Sequence, residues 1–205
     1  MGYDGFDYPD PAEGEAPAPV AIKILIAGGF GVGKTTLVGA LTEIKPRRTE
    51  EDLSQPGAAV DVLAGVEAKR ATTVAMDFGR ITIREDLVVY LFGMPGQERF
   101  WFMWDDLARG TIGVVILADT RRLSGSFPAI DYFEQRGTPF IVAVNNFDGA
   151  PRHRFEEIRQ ALDLDSSIPL IACDARRRDS CRDALVTLVD QAIALVAAGG
   201  VAPVS

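Results

Sequence analysis

The stretch from Ala21 to Leu37, AIKILIAGGFGVGKTTL, constrains the fold of this chain more than any other. It begins with an apolar run typical of a buried strand and ends in sequence that is compatible with a helix. Between them, Gly28 is followed after four residues by Gly33, Lys34 and Thr35, which is the phosphate-binding loop pattern in its required context. A glycine turn that merely links a strand to a helix would not need the lysine and the threonine.

The residue types of this loop suit the phosphates of a nucleotide and a Mg²⁺ ion. Glycines at positions 28, 31 and 33 let backbone N–H groups turn toward an anion, and the following helix start adds its own unpaired N–H groups. Lys34 can reach the β- and γ-phosphates, and the Thr35 hydroxyl suits Mg²⁺. The sequence therefore predicts a site for a nucleoside triphosphate with its metal ion.

Composition narrows the class of protein further. A length of 205 residues suits one α/β domain with tails, and a formal net charge of −8 argues against a general nucleic-acid binder. Two cysteines are too few for a disulfide framework or a metal cluster. We find no apolar run near the ~20 residues of a membrane span and no signal-peptide pattern, so we predict a cytoplasmic protein that only a partner could recruit to a membrane.

The pattern of elements predicts one domain between two tails. Residues 1–19 are rich in proline and acidic residues and are predicted to be a disordered tail, and residues 199–205 a flexible C-terminal tail. In residues 20–198, strands alternate with helices, which predicts a three-layer α/β fold with about six mostly parallel strands and about five helices. A hairpin over residues 75–92 makes one edge strand antiparallel, and no regular element is predicted over residues 45–73.

Several loops fall where open α/β sheets bind ligands, beyond the carboxyl ends of their strands. The phosphate-binding loop is the first. The others are Arg70–Val74, just before the antiparallel strand, then Phe92–Phe100, Asn145–Asp148 and, more weakly, Cys173–Arg176.

The order and spacing of these loops resemble the Ras-like small GTPases over about residues 20–198. The resemblance is closest to a bacterial subgroup, the conservon-type small GTPases of actinobacteria, which are related to the gliding-motility GTPases. Leu-Phe-Gly-Met-Pro-Gly-Gln-Glu-Arg-Phe at 91–100 and Asn-Asn-Phe-Asp at 145–148 carry it. It implies a GTP-binding molecular switch with slow, Mg²⁺-dependent GTP hydrolysis and with roadblock-type and sensor-kinase-like protein partners.

The resemblance also implies roles for individual residues. Gln97 would orient the attacking water, and Gly96 would donate its N–H to the γ-phosphate. Asn145 and Asp148 would select guanine, because a carboxylate accepts from both the guanine N1–H and its exocyclic amine. Ala175 would offer its N–H to the guanine carbonyl oxygen. The other nucleotide contacts would come from Gly28, Gly31, Gly33, Lys34, Thr35, Thr36, Thr73 and Asp174, with Thr35 and Thr73 also at the metal and Thr72 an alternative to Thr73.

Two departures from the family pattern bear on metal and base binding. Gly93 stands where the third loop usually has the Asp that holds a Mg²⁺-bound water, so the metal is bound more weakly or another acid replaces it. Asp119 is a candidate for that acid, and a solvent-facing position at the end of a strand is its alternative role. Asn146 stands where the fourth loop usually has a Lys, which predicts a reduced guanine affinity with the specificity through Asp148 retained.

A third departure bears on catalysis. Phe30 occupies a position that is Gly in Ras and would crowd an arginine finger that arrives from a partner. An arginine of the same chain is the alternative, as in heterotrimeric Gα subunits. Arg70, three residues before Thr73, is our first candidate and Arg99 the second, and a solvated surface role stays open for both.

The aromatic segment Phe100–Trp104 directly follows Gln97 and has two interpretations. It packs the loop onto the core, or it forms a partner surface that one nucleotide state exposes.

Two other functions of the chain also stay open. One is a nucleotide-binding scaffold with negligible turnover, motivated by Gly93 and Phe30, and the other is a P-loop kinase of a small substrate.

Overall fold

The computed structural model describes residues 18–44, 47–53 and 72–199, with the backbone alone described for residues 47–53 and 72–75. Among them, seven strands form one sheet in the order β2-β3-β4-β1-β5-β6-β7. The strands are β1 (Val20–Gly28), β2 (Arg47–Leu53), β3 (Thr72–Arg84), β4 (Leu87–Gly93), β5 (Thr111–Ala118), β6 (Phe140–Asn145) and β7 (Leu170–Cys173). The helices are α1 (Lys34–Leu41), α2 (Trp104–Ala108), α3 (Phe127–Arg136), α4 (Phe155–Ala161) and α5 (Arg178–Ala197).

The predicted fold class is confirmed in the described residues. Strand β1 runs parallel to its neighbours β4 and β5, and the parallel series continues through β6 to β7. Strand β3 is antiparallel to β4, as predicted for the hairpin. Five helices accompany the sheet, which matches the predicted number.

Strand β2 was not predicted. It pairs antiparallel with β3 along its whole length, so β3 lies one strand inside the edge of the sheet. The sequence of β2, RRTEEDL, lacks the alternation of apolar and polar residues by which strands are recognised. Charged residues are common on edge strands because they discourage pairing with a further chain, so this composition fits the position.

Apolar side chains pack on both faces of the sheet. Along β1, Ile24 and Ile26 point to the face covered by α1 and α5, and Leu25 and Ala27 to the face covered by α3 and α4. Because both faces are buried, the central strands read as continuous apolar runs. The two cores hold the carboxyl ends of the strands in fixed register.

Helix α3 ends at Arg136 and is followed by Gly137, whose φ of +62° is the left-handed conformation in which helices commonly end. From Arg182 onward the sequence places apolar residues at helical spacing, and helix α5 begins one turn earlier, at Arg178, in a first turn that is polar. The predicted tails, 1–19 and 199–205, lie almost wholly outside the described residues. None of the described helices combines the length and the apolar character that crossing a membrane requires.

Candidate phosphate and nucleotide site

The loop between β1 and α1 has the geometry of an anion cradle. Gly33 has φ +105°, and a Cβ there would lie 2.6 Å from Nδ2 of Asn145, so a glycine is required at this position. Helix α1 starts at the next residue, with its first N–H groups directed at the loop. The Lys34 ammonium crosses the loop and donates to the carbonyl oxygens of Gly28 at 2.9 Å and Gly29 at 2.7 Å.

The charge of Lys34 depends on its surroundings. Burial lowers the pKa of the Lys34 ammonium to about 8, and the negative charge of Asp77 acts in the opposite direction. Lys34 is therefore mostly charged at neutral pH and loses its proton in the mildly alkaline range. A phosphate beside it would favour the charged form.

A cavity of about 460 Å³ opens above this loop. Its walls come from the phosphate-binding loop, from β3 and from the segment after β4. It brings together most of the residues predicted to act on the phosphates, namely Gly31, Gly33, Lys34, Thr35, Thr36, Gly96 and Gln97, with Phe30, Asp77, Gly93 and Arg99 also in its lining.

Gly96 approaches the phosphate-binding loop very closely. A Cβ at this position would lie 2.8 Å from the Gly28 carbonyl oxygen and 2.8 Å from Nζ of Lys34. Any side chain here would therefore push the segment after β4 away from the loop. Gly96 lines the cavity, and the donation of its N–H to the γ-phosphate stays a prediction.

Asp77 is the functional residue that sequence reasoning missed. The Thr35 hydroxyl donates to Asp77 Oδ2 at 2.5 Å. Asp77 lies opposite Gly93 in the β3–β4 pairing, and a Cβ at Gly93 would come within 3.0 Å of the Asp77 Cβ and 3.1 Å of its Oδ2. The Asp77 carboxylate thus fills the space that a side chain at position 93 would take.

Thr35 and Asp77 suit a Mg²⁺ ion. The ion prefers oxygen ligands, and it is commonly held by one or two carboxylates together with water and substrate phosphates rather than by a protein cage. The described residues contain no cluster of three or more His, Cys, Asp or Glu side chains that could hold a metal alone. Asp119, the other candidate acid, is not among the residues that line this cavity; it pairs with Arg121 at 2.7 Å, and this pairing lowers the pKa of its carboxyl.

Only the strand register could have identified Asp77. The residue sits between Met76 and Phe78 in the alternating pattern of β3, where a polar residue reads as a solvent-facing position. The Asp77 side chain can lie beside Thr35 because the residue opposite it, Gly93 on the neighbouring strand β4, has no side chain. No spacing rule along the chain connects the two positions.

Asn145 joins the two halves of the site. Its side chain is 5% exposed, donates from Nδ2 to the Val32 carbonyl at 2.9 Å and accepts the Ala175 N–H at 3.0 Å. It therefore fixes the phosphate-binding loop against the loop after β7. The Ala175 N–H, predicted to contact guanine, is already donated to Asn145, so a base would have to compete for it.

Asp148 lies three residues after Asn145, with its side chain 86% exposed. Its carboxylate pairs with Arg176, which also pairs with Asp174 at 2.9 Å. This arginine holds the pKa of both the Asp148 and the Asp174 carboxyls below their usual range. Both acids are therefore charged at neutral pH. The sequence motifs predict no role for Arg176.

Two predicted switch residues are not brought to the cavity by described contacts. Thr73 lies in β3, paired with Asp52, four residues before Asp77, which places its Cα ~13 Å from that of Asp77 along an extended strand. Its side chain is not described, and Arg70 lies outside the described residues. The roles of Thr73 and Arg70 stay predictions, as does the alternative with Thr72.

Gln97 stands at the start of a short 3-10 helix, Glu98–Met103, and its carbonyl accepts the Phe100 N–H at 3.0 Å. The aromatic segment mainly packs this loop onto the core. Phe100 and Trp104 are buried, and the Trp104 indole N–H donates to the Pro95 carbonyl at 3.1 Å. Phe102, 59% exposed, is the part of the segment that could meet a partner.

Phe30 is 66% exposed and lines the cavity, and its obstruction of an incoming arginine stays a prediction. Arg99 lines the same cavity and stacks over Phe100 at 4.7 Å from the ring centroid. Among the described residues, Arg99 is thus the in-chain arginine candidate that the structure places beside Gln97.

Comparison with solved structures shows the fold of P-loop GTPase domains. The G domain of the FeoB iron transporter of T. maritima is 20% identical, with a TM-score of 0.58 over 84% of this chain and 99% of that one. The apo cytosolic domain of the same protein gives 19% identity and a TM-score of 0.58, over 84% of this chain and 64% of that one. This chain thus spans less than two thirds of that domain.

Sequence comparison also finds a related protein. An uncharacterised protein of Methanocaldococcus jannaschii is 30% identical over 129 residues, which are 62% of this chain and 71% of that protein. The model of a family described as "Conserved hypothetical ATP binding protein" matches residues 26–195. This chain therefore belongs to that family of conserved hypothetical ATP-binding proteins.

Proposed function

We propose that this chain is a GTP-binding molecular switch that hydrolyses GTP slowly, with Mg²⁺, to GDP and phosphate. The observation that carries the proposal is the bridge made by Asn145, which joins the phosphate-binding loop to the loop after β7, with Asp148 three residues further on. A phosphate site and a candidate base site are thereby held in one rigid arrangement. The resemblance to conservon-type GTPases supports the same proposal.

Guanine is the base that this arrangement favours. Two oxygens of a charged carboxylate can accept from the N1–H and the exocyclic amine of guanine, whereas adenine presents an acceptor at N1. The family description names ATP, so adenine is the competing assignment. Asp148, with its pKa held low, is the residue on which the choice of guanine rests.

The side chains around the cavity would divide the hydrolysis between them. Lys34 would neutralise the phosphates, and Gln97 would orient water for attack in line with the leaving group. Gly96 would donate its N–H to the γ-phosphate. Thr35 and Asp77 would hold Mg²⁺, which when bound neutralises charge on the β- and γ-phosphates. Arg99 or Arg70 would stabilise the charge that develops in the transition state.

Signalling would run through the segments around Thr73 and Gln97, whose order would change with the γ-phosphate. The exposed Phe102 beside Gln97 offers an apolar contact to an effector. Roadblock-type and sensor-kinase-like proteins are the partners that the family resemblance suggests. A cytoplasmic location, with membrane recruitment through such partners, stays a prediction from the sequence.

A single-turnover assay tests the proposal against a scaffold without turnover. Protein loaded with labelled GTP should convert it completely to GDP over hours, and Gln97→Ala should abolish the conversion. Gln135→Ala, an exposed glutamine on α3, is the matched control and should hydrolyse like the wild type. GTP that is unchanged in the wild-type protein would contradict the switch and favour the scaffold.

A P-loop kinase of a small substrate is the remaining alternative. A kinase of this kind would not require a guanine site, so it would not explain why Asp148 follows the Asn145 that bonds to Val32 and Ala175. Transfer of the γ-phosphate to a small acceptor rather than to water would identify it.

A further inference from the structure

The side chain of Arg176 occupies the part of Asp148 that guanine would use. Its Nη1 donates to Asp148 Oδ2 at 2.7 Å, and its Nη2 donates to Asp148 Oδ1 at 3.2 Å. Both carboxylate oxygens are thus taken by one guanidinium in a two-pronged contact, which is the geometry in which arginine binds carboxylates most specifically.

Asp174 holds Arg176 from the other side. Arg176 Nε donates to Asp174 Oδ1 at 2.9 Å, and Nη2 donates to Oδ2 at 3.0 Å. The Asp174 side chain is 18% exposed against 86% for Asp148, and the Asp174 N–H is itself donated to Ser180 Oγ at 2.9 Å. Asp174 is therefore the fixed anchor, and Asp148 is the solvent-facing partner that can be released.

Guanine and Arg176 need the same two oxygens of Asp148. We propose that Arg176 is a latch on the base site, a specificity-determining residue that pairs with Asp148 until guanine displaces it, while Asp174 keeps the arginine close by. This rests on the proposed guanine-nucleotide function. An adenine nucleotide cannot break the latch in the same way, because the adenine N1 donates no hydrogen bond to a carboxylate.

The expected cost of the latch is modest. Ion pairs in which one partner is well exposed contribute little, so displacing Arg176 should slow or weaken nucleotide binding by about two- to fivefold at low salt. Salt screens such a pair and should reduce this effect. A residue that serves only to support the loop would show no such dependence on salt.

The test compares Arg176→Ala with Arg177→Ala in the full-length chain. Arg177 is the exposed neighbour of Arg176, and its replacement by Ala removes the same charge. None of the described hydrogen bonds of Arg177 reaches Asp148. The measurement is the association rate and affinity of fluorescent GDP, starting from nucleotide-free protein, over a series of salt concentrations. Thermal unfolding of each variant reports whether the fold is intact.

Arg176→Ala should bind GDP about two- to fivefold faster or tighter than the wild type at low salt, with the difference shrinking as salt rises. Arg177→Ala should match the wild type, and Arg176→Lys should lie between, because an ammonium cannot span both oxygens. Binding by Arg176→Ala that equals or falls below that of Arg177→Ala overturns the latch. Wild-type protein that binds no GDP overturns the proposed function and the latch together.

Discussion

At the scale of single residues, the carboxylate of Asp77 is placed to do what an acid at position 93 does in related loops. The two positions face each other across β3 and β4, and Gly93 leaves room for the Asp77 side chain. In this chain the acid lies on β3, at hydrogen-bond distance from the Thr35 hydroxyl.

The role of Asp77 can be tested by removing its carboxylate and by placing one at position 93 instead. Asp77→Ala should lower the affinity for Mg²⁺ in the nucleotide complex by about 10- to 100-fold, while nucleotide affinity measured in a chelator stays near that of the wild type. The double variant Asp77→Gly with Gly93→Asp should recover most of the loss. The measurement is a Mg²⁺ titration of nucleotide release. Asp119→Asn is the control, and a loss there equal to that of Asp77→Ala would contradict the assignment.

Lys34 gives a prediction about pH. Its pKa of about 8 in the free protein should rise when phosphates bind beside it, so binding takes up a proton in the range where the free lysine has lost one. Calorimetry of GDP binding in buffers of different ionisation enthalpy should show uptake approaching one proton above about pH 8 and almost none near pH 6.5. The same uptake at both pH values would contradict the assignment to Lys34.

At the scale of elements, the loop after β4 is held by its aromatic residues. Trp104 anchors the loop through its bond to the Pro95 carbonyl, next to Gly96 and Gln97. The two tryptophans of the chain, Trp101 and Trp104, both lie in this segment and pack against each other with their rings tilted by 43° and their centroids 5.3 Å apart. Their fluorescence therefore reports on the loop around Gln97, one of the two segments whose order the proposed switch changes.

We expect the tryptophan emission to differ between the GDP complex and the complex with a non-hydrolysable GTP analogue. Trp104→Phe removes the hydrogen bond to Pro95 at a cost of about 1 kcal/mol and should reduce the difference between the two states. Identical spectra for both nucleotides in the wild-type protein would mean that this loop does not respond to the γ-phosphate.

The sequence predicted those elements that carry their own local signal. The apolar run and glycines of β1 and its loop were sufficient to predict the strand, loop and helix around the proposed phosphate site, and the continuous apolar strands were sufficient for the α/β class. Strand β2 was missed because polar residues form it, and its position depends on pairing with β3. The contacts of Asp77 and Arg176 were missed because each joins elements distant along the chain.

At the scale of the whole molecule, the proposed function depends on which base the site prefers. The carboxyl ends of β1, β6 and β7 meet at one edge of the sheet, and Asn145 fixes the loops after them together. A phosphate site alone is common to all nucleotide-binding proteins of this fold. Only Asp148 and its neighbours distinguish a guanine switch from an ATP-binding protein, which is the description that the family carries.

The most direct test is competition of unlabelled nucleotides against fluorescent GDP bound to the wild-type protein and to Asp148→Asn. GTP should displace the fluorescent GDP from the wild-type protein at concentrations at least ~100-fold lower than those that ATP requires. Asp148→Asn should lose this preference and gain affinity for xanthine nucleotides, because an amide can donate to the xanthine 2-carbonyl. ATP displacing the probe as well as GTP does would contradict the account.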